Sequence, residues 1–377
     1  MDLLVYNAAV LRGRWSGVEW AVWQRAVELS AGKSPEEFVF LVADGVALPA
    51  PLPGGRVVRL PRFAGTRLGR ILFELLLMPR LVRLLLPSES AAGSRKAEKR
   101  GNHLPSPISH LLSPICDIGG REEAGDAAGR FFAPAYVAPP RLSCPVTLVL
   151  YDLHVFTHPQ FCTRLNRLHY RWRIPASLRR ADVVEVPSHH VLEQLRRLFP
   201  EAAGKAVVRP LALRERYGRP VTDAEKAAVR DKYGLLPRYL LFVGDPAPRK
   251  NLPAALEAWR ALRADGEDIG FVIAGSPAAR TQIGQPAPRQ GLTPPPPVAL
   301  GYVPDEEMPA LYAGAAALLY PSFDEGYGLP IAEARACGCP VVTSAPTARE
   351  IAPDAFLCGA GAASVTAALR AALGRVP

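Results

Sequence analysis

Short apolar runs, almost free of polar residues, alternate along this chain with longer segments of helical period. In the first half the runs are Leu3–Tyr6, Phe38–Val42, Val57–Leu60, Phe131–Pro134, Pro145–Tyr151 and Asp182–Val186. In the second they are Tyr239–Val243, Gly270–Ala274, Val298–Leu300, Ala316–Tyr320 and Val341–Thr343. A strand with one wetted face alternates apolar and polar residues, so a continuous apolar run such as Pro145–Tyr151 predicts a central strand covered on both faces, as parallel sheets require. Between them the spacing predicts helices over Val18–Leu29, Ile71–Leu86, Arg164–Arg180, His190–Leu198, Leu252–Leu262, Pro304–Ala313, Leu329–Cys337 and Ala362–Leu373. This rhythm excludes a helical bundle and an antiparallel sandwich. It restarts after the Pro- and Arg-rich stretch Arg209–Pro220, and 377 residues suffice for two cores. The expectation is an α/β chain of two doubly wound, Rossmann-like parallel-sheet domains, 1–212 and 213–377, facing each other across a cleft. Two segments break the rhythm. Residues 88–130 read as a mobile insertion, with a basic run at Arg95, Lys96, Lys99 and Arg100. Pro286–Pro297 ends in four consecutive prolines, which forbid helix and central strand alike.

The net charge of +10 is uneven: residues 1–200 hold 26 basic and 17 acidic groups, residues 201–377 hold 19 and 18. A positive half suits nucleic acid, anionic lipid or a phosphorylated ligand, and no aromatic–basic platform accompanies it to support nucleic acid. Ile71–Leu86, the most apolar stretch, has sixteen residues and contains Glu74, Pro79, Arg80 and Arg83, too short and too charged to cross a bilayer. It reads either as a core helix of the first domain or as a face for a membrane surface. Six cysteines form no CxxC pair and no zinc spacing, which fits free thiols in a reducing compartment. The start, Met1 to Tyr6, lacks the basic region of a signal peptide. The expected location is therefore cytoplasmic, with peripheral contact at the inner membrane face as an option.

Parallel sheets bind ligands beyond the carboxyl ends of their strands. Two such junctions carry unusual residues. Phe242-Val243-Gly244-Asp245-Pro246-Ala247-Pro248-Arg249-Lys250-Asn251 takes a strand through a glycine turn to adjacent cations at a helix start. Cations beside free backbone N–H groups make an anion site, although an exposed basic cap looks the same in sequence. Tyr320-Pro321-Ser322-Phe323-Asp324-Glu325-Gly326-Tyr327-Gly328-Leu329-Pro330 runs from strand to glycine loop to helix. Gly326 and Gly328 let backbone approach a ligand and leave amides for phosphate, while Glu325 before the helix and Glu333 in its first turn point to its mouth.

These stretches, with VGDPAPRKNLPAALEAW, ALGYVPDEEMPALYAGAAALLYPSFDEGYGLPIAEARACGCPVVTS and Ala348-Arg349-Glu350-Ile351, resemble retaining glycosyltransferases of family 4, whose architecture is called GT-B. The likeness is strongest over 239–350; SGVEWAVWQRAVEL and TLVLYDLHVFTHPQF carry it more loosely, and 88–130 has no counterpart. The resemblance implies roles. Arg249 and Lys250 would hold the diphosphate of a nucleotide-sugar donor, Glu325 would lie near the donor sugar and Glu333 would accept from ribose hydroxyls. Amides around Gly326, Tyr327, Gly328 and Leu329 would address sugar and phosphate, with Gly244 in the first loop. Gly17 would approach the diphosphate when the cleft closes, and Tyr302 and Val303 would border the nucleobase. It implies no cofactor beyond the donor, GDP-mannose or a UDP-sugar, and no metal; no Asp-x-Asp stands in the sequence. The acceptor would be a glycan or lipid-linked hydroxyl, in polysaccharide synthesis.

Two further departures stand out. Tyr151 occupies the place where many relatives have histidine, and it either donates a hydrogen bond or closes a buried strand. Asp152 beside it is an acceptor-side or structural carboxylate, and His154 and His158 read as loop or capping residues. The chain stops at Pro377, where relatives continue into a long helix. A nucleotide-sugar-binding protein without catalysis is the competing reading, and a nucleotide-sugar epimerase a third.

Overall fold

The computed structural model describes residues 3–13, 17–85, 129–275 and 296–374. The expected insertion 88–130, except its last two residues, and most of the Pro286–Pro297 loop lie outside the described residues. The chain divides into two compact units: one draws on Met1–Leu153, Arg164–Pro187 and Leu192–Arg209, the other on His154–Thr163, Ser188–Val191 and Pro210–Pro377.

The first unit opens with β1 (Leu4–Asn7), α1 (Gly17–Ser30), β2 (Phe38–Ala43) and β3 (Arg56–Leu60). Helices α2 (Arg67–Leu72) and α3 (Met78–Leu85) follow, then β4 (Arg130–Ala133) and β5 (Val146–Val149). After α4 (His154–Thr157), which packs with the second unit, come α5 (Arg164–Arg180), β6 (Val183–Val186), α6 (His189–Leu198), α7 (Pro200–Ala203) and β7 (Ala206–Val208). Seven strands pair in parallel in the order β3-β2-β1-β4-β5-β6-β7. The order reverses between β1 and β4, the switch point of the sheet. Tyr6 fixes that centre: its ring stacks on Phe132 with centroids 4.9 Å apart, and its hydroxyl donates to the Val22 carbonyl at 2.6 Å.

The expected helix Ile71–Leu86 begins earlier, at Arg67, and is not regular. Thr66 caps it by accepting from the Gly69 N–H, and between α2 and α3 residues Phe73–Leu77 form a π turn. There the Met78 N–H donates to the Phe73 carbonyl five residues back. Apolar spacing gives no sign of such a turn, because it inserts one residue without changing composition.

The second unit runs α8 (Asp223–Tyr233), β8 (Tyr239–Val243), α9 (Leu252–Ala264), β9 (Gly270–Ala274), β10 (Val298–Gly301), α10 (Met308–Ala313) and β11 (Ala317–Tyr320). It ends with α11 (Leu329–Ala336), β12 (Val341–Thr343), α12 (Ala348–Ile351), β13 (Phe356–Leu357) and α13 (Ala362–Ala372). Its six parallel strands follow the order β10-β9-β8-β11-β12-β13, with the switch point between β8 and β11. Successive side chains of β8 face opposite sides, so Leu241 and Val243 join one core cluster while Leu240 and Phe242 join the other. Both clusters are built of buried apolar side chains, which is why the run carries no charged residue.

Helix α8 was not evident from apolar spacing; a capping box specifies it. Thr222 accepts from the Glu225 N–H, and Glu225 accepts from the Thr222 N–H. Asp305, Glu306 and Glu307 were expected in the first turn of a helix from Pro304, but α10 starts only at Met308. The three instead hold cations from elsewhere: Arg214, Arg216 and Lys232 respectively.

Candidate functional site

Both glycine-bearing junctions fall at the switch point of the second sheet, where β8 and β11 end side by side. After β8 the chain turns at Gly244, whose φ of 114° suits glycine. A second constraint is spatial: a Cβ there would stand 1.9 Å from Lys250 Nζ. Glycine thus opens the space in which the ammonium lies, 3.4 Å from the Val243 carbonyl and 5.2 Å above the Tyr320 ring. Burial holds Lys250 below the usual lysine range, and Glu325 pulls it the other way.

Pro248–Lys250 form one 3-10 turn, and Asn251, with φ 55°, is held by a bond from its amide to the Ala360 carbonyl at 2.8 Å before α9 begins. Arg249 points to the neighbouring loop. Its guanidinium donates to the Asp324 carbonyl at 2.8 Å and to Glu325 Oε1 at 2.5 Å. The same oxygen accepts from the Tyr320 and Ser322 hydroxyls, each at 2.9 Å. Lys250, Arg249, Tyr320 and Glu325 are therefore one connected group.

Gly328, with φ 87°, leads into α11, and no side chain caps that helix start. Gly326 gives its carbonyl to the Ser188 hydroxyl at 2.6 Å, and Tyr327 and Leu329 are half-buried. Glu333 was expected in the first turn of this helix, but it lies one turn deeper, buried. Its carboxylate accepts from the Tyr312 hydroxyl at 2.9 Å and from Arg214 at 3.4 Å. Burial pushes this carboxyl above the usual range, while Tyr312 and Arg214 pull it down. Val303 is buried and Tyr302 exposed, just beyond β10.

Asp152 and Gly17 belong to the first unit. Gly17 is the first residue of α1. Asp152 follows β5 and accepts from the Tyr136 hydroxyl at 2.5 Å. Tyr151 is buried and meets Tyr136 edge-on, with centroids 5.8 Å apart.

Sequence reasoning missed several partners. Arg214, in the Pro- and Arg-rich stretch, reaches Glu333 across 119 positions, and no local pattern marks it. Three imidazoles gather at the buried Asp324: His190 Nε2 at 2.7 Å from one oxygen, His154 Nε2 and His158 Nδ1 at 3.5 and 3.6 Å from the other. His154 and His158, expected as loop or capping residues, thus brace the Glu325 loop. Among the described residues no group of three or more His, Cys, Asp or Glu is placed to hold a metal ion. The five described cysteines are free. No helix among the described residues is long and apolar enough to cross a membrane.

Comparison with known proteins adds the following. Residues 237–375 match the family "Glycosyl transferases group 1". O-antigen chain mannosyltransferase B of Escherichia coli is 34% identical over 235 residues, which cover 60% of this chain and 60% of that protein. Among solved structures, WaaG, a glycosyltransferase involved in lipopolysaccharide biosynthesis, aligns over 99% of this chain and 91% of its own, with a TM-score of 0.60 and 15% identity. Anabaena HepE in complex with UDP and glucose aligns over 98% and 89%, with a TM-score of 0.59 and 14% identity. The fold is shared with these structures, and the family match spans the residues Arg249, Lys250, Glu325 and Glu333. The chain thus resembles the group 1 glycosyltransferases over residues 237–375 and has the GT-B fold of these solved glycosyltransferases.

Proposed function

We propose that this chain moves a sugar, with mannose the first candidate, from a nucleotide-diphosphate donor to a glycan hydroxyl with retention at the anomeric carbon. The observation that carries the reading is the connected group of Lys250, Arg249, Tyr320 and Glu325 at the second switch point. Breaking a sugar–phosphate bond gathers negative charge on the departing diphosphate. Fixed cations there stabilise the transition state more than the ground state. A dianion beside Lys250 would strengthen its hold on the proton against the effect of burial, so donor binding and the ammonium charge reinforce each other. Arg249 is already oriented by Glu325 and needs no reorganisation. In this reading Glu333 would accept from ribose hydroxyls, and Tyr302 and Val303 would border the base.

The chemical step is a same-face displacement. The bond from the anomeric carbon to the donor phosphate oxygen breaks, the bond to the acceptor oxygen forms, and the acceptor's proton passes to a phosphate oxygen of the leaving diphosphate. Two cations supply the charge neutralisation, so activity should survive chelation. Mannose is favoured by the Escherichia coli relative, named a mannosyltransferase, and a UDP-sugar is the alternative that the HepE complex keeps in view.

A lipid-linked acceptor is favoured by the first unit's surface. Leu68, Leu72 and Leu76 are 71%, 50% and 62% exposed, and Leu165, Leu168 and Trp172 of α5 are 72%, 72% and 64% exposed. Arg80, Arg164 and Arg171 lie exposed on the same helices, a mixture suited to an anionic bilayer surface.

A thermal-shift series over GDP-mannose, UDP-glucose and their free nucleotides tests the donor. The true donor at ~100 times its dissociation constant should stabilise the chain by about 2.7 kcal/mol. Nucleotide release in the presence of a mannoside acceptor then separates transfer from binding alone. Binding of the donor with no release under any acceptor would overturn the enzymatic reading.

A further inference from the structure

The switch point of the first sheet also carries a built site. Asn7 ends β1, and its side chain is oriented: Oδ1 accepts from the Ala9 N–H at 3.3 Å, which turns the amide nitrogen toward Glu74. Glu74 sits on the π turn, 8% exposed. Its carboxylate accepts one long hydrogen bond, from Asn7 at 3.4 Å, and stands 4.0 Å from Arg70 Nε. A buried carboxylate normally gathers several close donors, so this one has capacity to spare. Burial pushes it above the usual carboxylate range, Arg70 and Arg173 opposing. A cavity of about 10 Å³ opens against it, lined by Asn7, Arg70, Glu74, Pro134, His169 and Tyr170. That volume admits one water-sized group. Π turns occur often at functional sites, and this one presents its only buried charged side chain to the cavity.

A second strained feature borders the same place. Tyr136, two residues past the cavity-lining Pro134, has a φ of 57°, unusual for a bulky residue. Its hydroxyl holds Asp152, and its ring tilts against Tyr170, another lining residue, with centroids 5.6 Å apart. Strain of this kind persists where the surroundings over-determine it, and it clusters at ligand sites.

We propose that Asn7, Arg70 and Glu74 form the subsite that selects the acceptor, seating one hydroxyl of a neutral sugar ring in this cavity between an amide, a guanidinium and a carboxyl. This inference rests on the glycosyltransferase reading for the word acceptor, but the subsite is defined by sugar binding alone. A hydroxyl both donates and accepts, so it satisfies Glu74 and Arg70 together, whereas an anion would face the carboxylate and a methyl would leave it unbonded.

The test uses the full chain and methyl α-D-mannopyranoside as probe, followed by saturation-transfer NMR. Wild type should show transfer, and Glu74→Gln and Asn7→Ala should weaken it ~10–100-fold, the scale of one hydrogen bond to a charged group. In the same variants nucleotide-sugar affinity and acceptor-independent donor hydrolysis should stay at wild-type level while the KM for the mannoside rises. A change in folding would move all of these together. Should Glu74→Gln fail to fold, Arg70→Met at the half-buried rim carries the same comparison. Mannoside binding unchanged in the folded variants, or no mannoside binding by wild type, would overturn the proposal. Loss of donor binding in wild type would instead sink the donor reading and leave the sugar subsite standing.

Discussion

At the switch point of the second sheet, β8 and β11 end against Lys250, Arg249 and a carboxylate already engaged by three donors. At the switch point of the first sheet, β1 and β4 end against Asn7 and a carboxylate with one long bond, beside a tyrosine in strained backbone. The backbone setting is the same in both, since parallel strands stop together and leave a crevice. The side chains differ in sense. The second unit places cations where a diphosphate would lie, although its share of the sequence is nearly neutral. The first unit places a buried carboxyl at its crevice, although residues 1–200 carry almost all the positive surplus. Net charge therefore says what a surface attracts, and local charge says what a site holds.

That contrast can be broken most directly at Lys250. Lys250→Ala should lower turnover ~10²–10³, the scale of removing one transition-state donor, and Gly244→Ala should approach the same loss by displacing the ammonium. The double variant should lose less than the product of the two single losses, because both changes remove the same interaction. A Gly244→Ala enzyme of normal rate, read from donor consumption, would mean that the ammonium does not act where it lies.

Glu333→Ala should weaken donor binding by about 1.5–3 kcal/mol, leaving turnover at saturation largely intact. The pH dependence sharpens this. Glu333 accepts hydroxyls best as a carboxylate, and its folded-state value is raised by burial, so donor affinity should fall on acidification at a higher pH than an ordinary glutamate would dictate. Arg214 lowers that value, so Arg214→Met should move the fall to still higher pH, measurable by calorimetric titration of the free nucleotide. An unchanged midpoint would detach Arg214 from Glu333.

The smallest effect is expected in the first unit. Tyr136→Phe removes the bond to Asp152 and should cost about 1 kcal/mol of stability in thermal unfolding, with nucleotide affinity unaffected. A loss of nucleotide binding would erase the division of labour between the crevices.

Much of the frame was legible because it is local. Tyr239–Val243, Gly270–Ala274 and Val341–Thr343 match their expected strands to the residue, and Arg164–Arg180 its helix, since burial on both faces or a steady period marks each one. Arg249, Lys250 and Glu325 stand in two short loops whose glycines advertise them, and the fold brings those loops together. Arg214, Tyr312 and His190 were hidden because each reaches its partner from a distant segment, a distance that spacing rules do not encode. Glu74 was counted as an obstacle to membrane insertion, and the π turn that gives it a use has no compositional mark.

The π turn has a consequence for how this helix can change. Excising one residue between Phe73 and Leu77 would let ordinary four-residue hydrogen bonding run from Arg67 to Leu85, a smoother and more stable rod. It would also swing everything on one side of the cut by about 100° relative to the other, carrying Glu74 off its crevice or the buried Met78 and Leu81 off their seat. The irregularity acts as a phase shifter, letting a single rod serve the packed interior at one end and a recess at the other.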